Sequence, residues 1–471
     1  DMANIREHCS WVHSREKEEA TRKAKDLIRM SVARAELLEP LPEFELPVHP
    51  AALVVGGGVA GMTAALSIAE QGHDVHLVEK EAELGGMARR LHTTLDGLDV
   101  AAFLQHRIRQ VYRHPRIHVL TGAAIQAADG FVGNFVTRVV ADGRETTIRH
   151  GATIIAIGAV EHRPTEYLYG QSDRVHTQLE LESEIARRTP RLAGAEQVVM
   201  IQCVGCRQPD RNYCARICCS QAVKNALALK EIDPRMEISI LFRDMRTYGF
   251  REDHYRRASE CEVRFIRYTP ESTPRVAAFV EEGRSGLRVT AFDPVLRREL
   301  TLDADLLALS TAVVPSPESA KIARWFKVAL GPEGFFQEAH VKLRPVDFAA
   351  EGVFLCGAAH YPKHLSEAIQ QAYGAAGRAL TLLSNPTVTA SGSVCAVDAQ
   401  KCIACGACIA ACRYGAIEFS ETRRGRKAVV NPVLCKGDGL CNAKCPTGAI
   451  ALKHYRDEQV YRQIDAALAA E

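Results

Sequence analysis

The cysteines are the residues of this 471-residue chain whose type and spacing most directly suggest chemistry. There are 16 of them, and eight fall between residues 395 and 445. In a large protein without a secretory signal, clustered cysteines are better explained as metal ligands or redox groups than as disulfides. We therefore expect metal or redox centres.

The first C-terminal run has the spacing of a bacterial ferredoxin. Cys402, Cys405, Cys408 and Cys412 are separated by two, two and three residues. Such short loops bring thiolates around a [4Fe–4S] cluster. A structural zinc site is the alternative for paired cysteines, although zinc modules do not need this pattern.

A second run follows with one departure, because Asp438 stands where the spacing would place a cysteine. In two-cluster ferredoxins the last cysteine of each run ligates the other cluster. The predicted set for cluster one is Cys402, Cys405, Cys408 and Cys445, and the set for cluster two is Cys412, Cys435 and Cys441 with Asp438. Carboxylate binds iron less firmly than thiolate. Cluster two is therefore either an aspartate-ligated [4Fe–4S] cluster or a [3Fe–4S] cluster. Cys395 lies outside the motif and is expected to be a spectator.

A third group of cysteines lies in the middle of the chain, at Cys203, Cys206, Cys214, Cys218 and Cys219. Two explanations stay open. One is another cluster site, and the other is a redox disulfide at the C-x-x-C pair Cys203 and Cys206. Cys261 and Cys356 are isolated and are expected to be buried thiols.

A glycine-rich segment near residue 56 predicts dinucleotide binding. The sequence GGGVAG follows an apolar strand, opens a helix, and precedes Glu79 at the end of the next strand. Gly56 would permit the tight turn, Gly58 the approach of the pyrophosphate, and Gly61 close packing of helix on strand. Glu79 would accept hydrogen bonds from a ribose hydroxyl. The predicted phosphate-binding residues are Gly56, Gly58, Val59, Ala60 and Gly61.

Three further segments favour FAD over NAD because they resemble segments of flavoproteins. They are the turn after Glu79, GATIIAIGA at 151–159 and GVFLCGAAH at 352–360. A helix beginning near Ser366 would direct its N-terminus at the flavin ring. The predicted FAD contacts outside the fingerprint are Glu79, Lys80, Gly86, Met87, Gly158, Gly357, Ala358 and Ala368.

The pattern of strands and helices around these residues predicts an α/β protein with a doubly wound, thioredoxin reductase-like FAD domain. An inserted second domain begins at the strand near 196, continues through hairpin strands around EVRFIRY and GLRVTAF, and returns to the first domain at DADLLALST. Its phosphate-binding turn is replaced by cysteines, so we expect no NAD(P)H site there.

The predicted domains are 1–48, an N-terminal helical segment; 49–195 with 304–385, the FAD domain; 196–303, the second domain; and 386–471, an α+β two-cluster ferredoxin domain. Pro-rich residues near 40–50 and small polar residues at 384–393 are the predicted linkers. The helix predicted at 15–37 is expected either to pack on its own domain or to dock a partner.

Composition narrows the function further. The net charge of +2 excludes a bulk polyanion binder. No apolar run is long enough to cross a bilayer, and the charged N-terminus differs from a secretory signal. A cytoplasmic protein is expected. The first residue is Asp, so upstream residues are expected to have been removed or left out.

The whole chain resembles the A-type subunit of heterodisulfide reductase, an iron–sulfur flavoprotein. The resemblance rests on NIREHCSWVH, GGGVAG, IQCVGCRQPDRNYCARICC, CGAAHYPKHLSEAIQQAYGAAGRA and the C-terminal ferredoxin module. It implies that Cys203, Cys214, Cys218 and Cys219 ligate a [4Fe–4S] cluster near the flavin. It also implies that Cys206 replaces a serine and is no ligand. About three clusters and one FAD are expected.

The resemblance also leads to expectations about Cys9 near the N-terminus and about an insert in the FAD domain. Cys9 matches the last cysteine of a cluster-binding N-terminal domain. The other ligands would come from missing residues or another chain, or the cluster has been lost. A ferredoxin insert found in some members is not expected here.

The resemblance implies flavin-based electron bifurcation or confurcation, linking a two-electron donor to ferredoxin and a second acceptor. The implied partners are B- and C-type subunits, ferredoxin, and a hydrogenase, formate dehydrogenase or other input module. They would form a heteromeric complex, either as a single copy or dimerised. Lys363 or His360 would sit beside the flavin ring and stabilise its reduced form; the alternative is a solvated loop charge. Two other functions stay open: an NAD(P)H-dependent flavin disulfide reductase, and an electron-relay scaffold without bifurcation.

Overall fold

The structure, a computed structural model, contains two compact units. It describes residues 1–41, 43–281, 284–390, 392–423 and 425–469. One unit comprises Asp1–Pro47 and Thr387–Glu471, and the other comprises Val48–Pro386. All the predicted flavin-binding residues and the central cysteines belong to the second unit, whereas the ferredoxin motif and Cys9 belong to the first.

The secondary structure alternates strands and helices over most of the chain. The strands are β1 Phe44–Pro47, β2 Ala52–Val55, β3 Val75–Val78, β4 Ile117–Leu120, β5 Ala123–Phe131, β6 Asn134–Ala141, β7 Arg144–His150, β8 Ala152–Ile155, β9 Ala159–Glu161, β10 Val175–Thr177, β11 Gln197–Val204, β12 Glu237–Phe242, β13 Arg264–Arg267, β14 Arg275–Glu281, β15 Arg284–Asp293, β16 Arg298–Ala304, β17 Leu306–Thr311, β18 Val313–Pro315, β19 Val353–Leu355, β20 Thr387–Ala390, β21 Cys395–Val397, β22 Ile417–Thr422, β23 Gly425–Val430 and β24 Ile450–Leu452. The helices are α1 Lys17–Ala35, α2 Val59–Ala69, α3 Val100–Arg113, α4 Gln178–Arg187, α5 Pro190–Ala193, α6 Cys218–Ile232, α7 Glu252–Glu260, α8 Ser319–Phe326, α9 Leu365–Leu383, α10 Ala407–Ala411, α11 Leu440–Lys444 and α12 Asp457–Leu468.

The larger unit is built on a parallel sheet in the order β19-β8-β2-β3-β4. Its central strands β2 and β8 are wholly buried, as expected for a parallel sheet covered on both faces. Helices α2 and α9 pack together beside it. Helix α9 contributes alanines to this core, among them Ala372 and Ala379, whose small side chains permit close packing. This confirms the predicted doubly wound FAD fold.

A second parallel sheet has the order β10-β17-β11-β12-β13. Two expectations need correction here. Strand β13 in EVRFIRY pairs in parallel with β12 and is not part of a hairpin. Strand β17 in DADLLALST, expected to return to the first domain, pairs with β10 and β11 in this second sheet. A continuous apolar strand suits either buried sheet, so its sequence does not say which one it joins.

Two antiparallel sheets and a strand pair complete the larger unit. Strands β5-β6-β7 form one sheet and β14-β15-β16 form the other. Strand β15 in GLRVTAF therefore has antiparallel neighbours, as expected. Strands β9 and β18 pair with each other.

The smaller unit joins both ends of the chain. Helix α1 packs on α12, and the Gln459 side chain donates a hydrogen bond to the Leu37 carbonyl at 2.9 Å. This contact favours packing of the N-terminal helix on its own unit. The two predicted linkers contribute strands β1 and β20, which pair with each other. Pro42 and Ser391, within those linkers, lie outside the described residues.

Candidate functional site

A cavity of about 650 Å³, here called the flavin-type cavity, lies at the carboxyl ends of β2, β3 and β8. Ligands of doubly wound proteins bind at this edge of the sheet. The predicted residues that line it are Gly56, Gly58, Val59, Ala60, Glu79, Lys80, Gly86, Met87, Gly158, Gly357, Ala358, Lys363 and Ala368. Residues far apart in the sequence therefore meet around one space large enough for a cofactor.

The three fingerprint glycines have different physical roles. Gly56 has a φ of +109°, and a Cβ there would overlap the Ala156 carbonyl oxygen. A Cβ on Gly61 would overlap the Gly56 carbonyl oxygen, so Gly61 permits the close packing of α2 on the turn. Gly58 has open space where a Cβ would stand. An approaching phosphate would occupy that space, so the turn fits the pyrophosphate of FAD.

Glu79 is held in place by backbone hydrogen bonds. Its Oε2 accepts from the Gly57 N–H at 2.6 Å, and its Oε1 accepts from the Glu81 N–H at 2.9 Å. Each carboxylate oxygen keeps a second acceptor position. The side chain is buried yet lines the cavity, so it can accept a further hydrogen bond from a ribose hydroxyl.

We expect Gly58→Leu to weaken FAD binding by about tenfold or more, which corresponds to at least about 1.4 kcal/mol of binding free energy, so that the protein retains less FAD. Gly58 has φ −70° and ψ 178°, which any residue adopts, so the new side chain enters the cavity without straining the turn. The measurement is FAD per chain by absorbance, with circular dichroism to verify folding. Glu70→Leu, at the exposed end of the same helix, is the matched control. Full FAD content in a folded Gly58→Leu protein would contradict the phosphate-binding role.

Lys363 begins a chain of hydrogen-bonded polar groups at the cavity wall. Its ammonium group donates to Gln371 Oε1 and lies 4.0 Å from the centre of the Tyr361 ring. Gln371 Nε2 donates to His360 Nδ1 at 2.8 Å, and His360 Nε2 donates to Glu338 Oε2 at 2.8 Å. The cavity reaches Lys363, whereas His360 lies one hydrogen-bonded residue behind it. In this geometry the hydrogen-bonded link from His360 to Lys363 runs through Gln371.

Burial controls the charge of this chain of groups. It lowers the pKa of Lys363 to about 7, with repulsion from Arg216 adding to the effect. Burial also lowers the pKa of His360. The Lys363 amino group can therefore change between its charged and neutral forms near neutral pH. The residues Gln371 and Glu338 were not predicted, because no local motif connects them to the lysine.

An ion pair on the cavity wall was also not predicted. Arg90 Nη2 lies 2.7 Å from Glu161 Oε2, and both residues line the cavity. They are 71 positions apart in the sequence. Neither belongs to a recognisable motif, so only the folded chain shows the pair.

The central cysteines occupy the loop from the end of β11 to the start of α6. Cys203, Cys206, Cys218 and Cys219 are buried in one apolar cluster, and Cys214 is half-buried nearby. Cys203 has a φ of +63°, a conformation that costs a non-glycine residue free energy. Cys218 also lines the flavin-type cavity. The cysteine group and the cavity therefore share a wall.

Neighbouring thiols favour the thiolate form of two cysteines in this group, Cys203 and Cys219. The Cys206 thiol lowers the pKa of Cys203 to about 6, and Arg207 contributes. The Cys218 thiol likewise lowers the pKa of Cys219. Thiolate is the form that binds iron. All sixteen cysteines are free thiols in the structure.

The first predicted set of the ferredoxin module converges in space. Cys402, Cys405, Cys408 and Cys445 line one small cavity. Cys445 comes from the second run, so the fold brings the interleaved set together. The Cys445 sulfur also accepts a hydrogen bond from the Ala449 N–H at 3.2 Å, and such bonds tune a cluster's potential.

The second set differs from the expectation at two positions. Asp438 is exposed, and its Oδ1 accepts from the Leu440 N–H at 3.2 Å. Cys395 is buried, with its Sγ 3.4 Å from Cys441 Sγ and its backbone N–H donating to Cys435 Sγ at 3.5 Å. A hydrogen bond from Cys395 lowers the pKa of Cys435 to about 6. The expected spectator thus contacts two predicted ligands.

The remaining cysteines are separate from these sets. Cys9 is buried and donates a hydrogen bond from its thiol to the Ala20 carbonyl at 2.8 Å. Cys356 is buried, as predicted, whereas Cys261 is only half-buried.

The described ranges lack two further features. In those ranges, no three His, Cys, Asp or Glu side chains are grouped so as to hold a single metal ion. Over the same residues, every helix is too short or too polar to span a membrane.

Two known protein families match this chain, one over the flavin-type site and one over the ferredoxin module. The family described as "FAD dependent oxidoreductase" matches residues 52–186. The family described as "4Fe-4S dicluster domain" matches residues 401–449. The thioredoxin reductase of Lactococcus lactis matches in structure with a TM-score of 0.50 at 16% identity, over 71% of this chain and 99% of that one. The fold and sites define an oxidoreductase that carries FAD and iron–sulfur clusters.

Curated relatives place this class more narrowly. The second A-type iron–sulfur subunit of the CoB–CoM heterodisulfide reductase of Methanopyrus kandleri is 35% identical over 99% of this chain and 85% of the relative. The A-type subunit of the H(2):CoB-CoM heterodisulfide,ferredoxin reductase of Methanothermobacter thermautotrophicus is 32% identical over 99% and 84%. The chain belongs to the family of A-type heterodisulfide reductase subunits, and it is an electron-transfer flavo-iron–sulfur protein.

Proposed function

We propose that this chain is the flavin-based electron bifurcating or confurcating subunit of a cytoplasmic heterodisulfide reductase-like complex. The observation that carries the proposal is the wall shared by the flavin-type cavity and Cys218 of the central cysteines. Bound FAD would supply the exchange between two-electron and one-electron transfer. The three cysteine groups would hold the one-electron carriers that exchange electrons with FAD.

The residues of the chain divide this work. The fingerprint turn and Glu79 bind and orient FAD, and Lys363 places a titratable cation at the cavity. Cys203, Cys214, Cys218 and Cys219 hold a cluster beside it. The ferredoxin module holds two more clusters, the first on Cys402, Cys405, Cys408 and Cys445.

The partners follow from the relatives. The names of these relatives include hydrogen, formate, ferredoxin and the CoB–CoM heterodisulfide. We propose a heteromeric complex with B- and C-type subunits, an electron-input module and ferredoxin. Cys9 would complete a further cluster only with ligands from outside the described chain.

The test is a redox titration of anaerobically reconstituted protein. About twelve irons per FAD are expected for three [4Fe–4S] clusters. The flavin should reduce in one two-electron step, with no radical accumulating in electron paramagnetic resonance (EPR) spectra. NAD(P)H alone should not bleach it.

Two results would overturn the proposal. An accumulating flavin radical with ordinary potentials would indicate an electron-relay scaffold. Rapid bleaching by NAD(P)H, with a Cys203–Cys206 disulfide in the oxidised protein, would indicate a disulfide reductase. Cys203 and Cys206 are buried in one apolar cluster, and the Cys206 N–H donates to the Cys203 carbonyl at 3.4 Å, so the second result is a concrete competitor.

A further inference from the structure

The ferredoxin module contains eight cysteines, which is the number that two four-thiolate clusters require. The usual spacing provides only seven of them, because Asp438 interrupts the second run. The eighth cysteine, Cys395, comes seven residues before the first run. Its position in the fold decides whether it can complete the second set.

Strand pairing carries Cys395 into the core of the module. It begins β21, which pairs antiparallel with β24, and stands opposite Leu452. Its side chain is 4% exposed. It belongs to the buried apolar cluster of the module, which also contains Cys402 and Cys441 and against which Cys408, Cys412, Cys435 and Cys445 pack.

The loop that carries Asp438 packs against the segment leading into Cys395. Gly437 has a φ of +65°, and a Cβ there would stand 2.6 Å from the Ser393 carbonyl oxygen. This close approach brings Cys395 to the cysteines on both sides of the loop. Its Sγ lies 3.4 Å from Cys441 Sγ, and its N–H donates to Cys435 Sγ.

Asp438 has a different role in the same loop. Its carboxylate is exposed and accepts the hydrogen bond from the Leu440 N–H, at the start of α11. An aspartate that accepts the backbone N–H two residues further on forms an Asx turn, which stabilises the loop. This backbone hydrogen bond gives the Asp438 carboxylate a structural role that does not involve iron.

We propose that Cys395 is the fourth thiolate of cluster two, with Cys412, Cys435 and Cys441, and that Asp438 is not a ligand. Thiolate is the softer donor and suits an iron–sulfur core better than carboxylate does. Coordination releases the thiol proton to solvent and changes no oxidation state. The 3.4 Å separation of the Cys395 and Cys441 sulfurs is that of a hydrogen bond, since a disulfide measures about 2.05 Å. Rotation about either Cα–Cβ bond moves the sulfurs apart so that they address different irons.

The test compares three variants of the full chain after anaerobic reconstitution with iron and sulfide. Cys395→Ala should lose about one iron per chain and show the EPR signal of an oxidised [3Fe–4S] cluster. Asp438→Ala should keep the iron content and the EPR spectrum of the wild type. Cys395→Ala combined with Asp438→Cys restores the usual spacing and should recover the lost iron.

The outcomes separate the alternatives. A [3Fe–4S] signal in Asp438→Ala but not in Cys395→Ala would overturn the proposal in favour of aspartate ligation. Wild-type spectra in both single variants would also overturn it. If Cys395→Ala fails to fold, recovery in the double variant supports the proposal and failure to recover opposes it. The proposal concerns the dicluster domain alone, so it does not depend on bifurcation.

Discussion

Cys203→Ser is expected to remove about four of about twelve irons per chain while leaving FAD bound. Cys203 is buried at the end of β11 with a φ of +63°, and the Cys206 thiol and Arg207 favour its thiolate form. A serine hydroxyl is a harder donor that binds iron poorly. The measurements are iron and acid-labile sulfide per FAD, with EPR of the reduced protein.

Cys206→Ser is the matched control, because the family resemblance places a serine there and the residue is also buried. It should keep all of the iron. If Cys206→Ser abolished activity while Cys203→Ser left the iron content unchanged, a redox disulfide would replace the central cluster as the explanation of this pair.

Lys363→Met is expected to lower the two-electron potential of the bound flavin. A buried cation stabilises the negatively charged reduced flavin by about 2 kcal/mol. This free energy corresponds to a shift of about 40 mV in the potential of a two-electron couple. Lys363 is 7% exposed at the cavity wall, so little water screens its charge. The measurement is a spectroelectrochemical titration of the flavin absorbance.

The pH dependence of this shift has a defined sign. Burial lowers the pKa of Lys363 to about 7, so the cation is present below that pH and is lost above it. The difference between wild type and Lys363→Met should therefore be largest below about pH 7 and shrink as the pH rises above the pKa. Lys80→Met is the matched control, because Lys80 lines the same cavity with a side chain 46% exposed. A difference that grows with pH, or an equal shift in Lys80→Met, would argue against a special role for Lys363.

Local patterns are enough to identify much of the site. The GGGVAG turn needs glycine at three positions for reasons that lie within a few residues, so its residue types reveal its geometry. The ferredoxin runs are similar, since their spacing is that of short loops around a cluster. The strand and helix pattern around these motifs is likewise sufficient to predict the doubly wound fold.

The strands that joined unexpected partners show where such local patterns cease to be sufficient. Strand β17 is buried throughout, and nothing in its residues distinguishes the second sheet from the first. Strand β13 follows a helix and pairs in parallel, although its alternation also suits a hairpin. Pairing depends on the chain path between strands, which residue types in one strand do not determine.

Residue types and spacing establish the functional parts: a dinucleotide turn, an acidic partner at Glu79, and thiolates in three groups. How these parts meet depends on the folded chain. It placed Cys218 on the wall of the flavin-type cavity, Gln371 between Lys363 and His360, and Cys395 against Cys435 and Cys441. The contact of Cys395 with Cys441 joins residues 46 positions apart. Such contacts arise from strand pairing and core packing, which are properties of the whole chain and of no single motif.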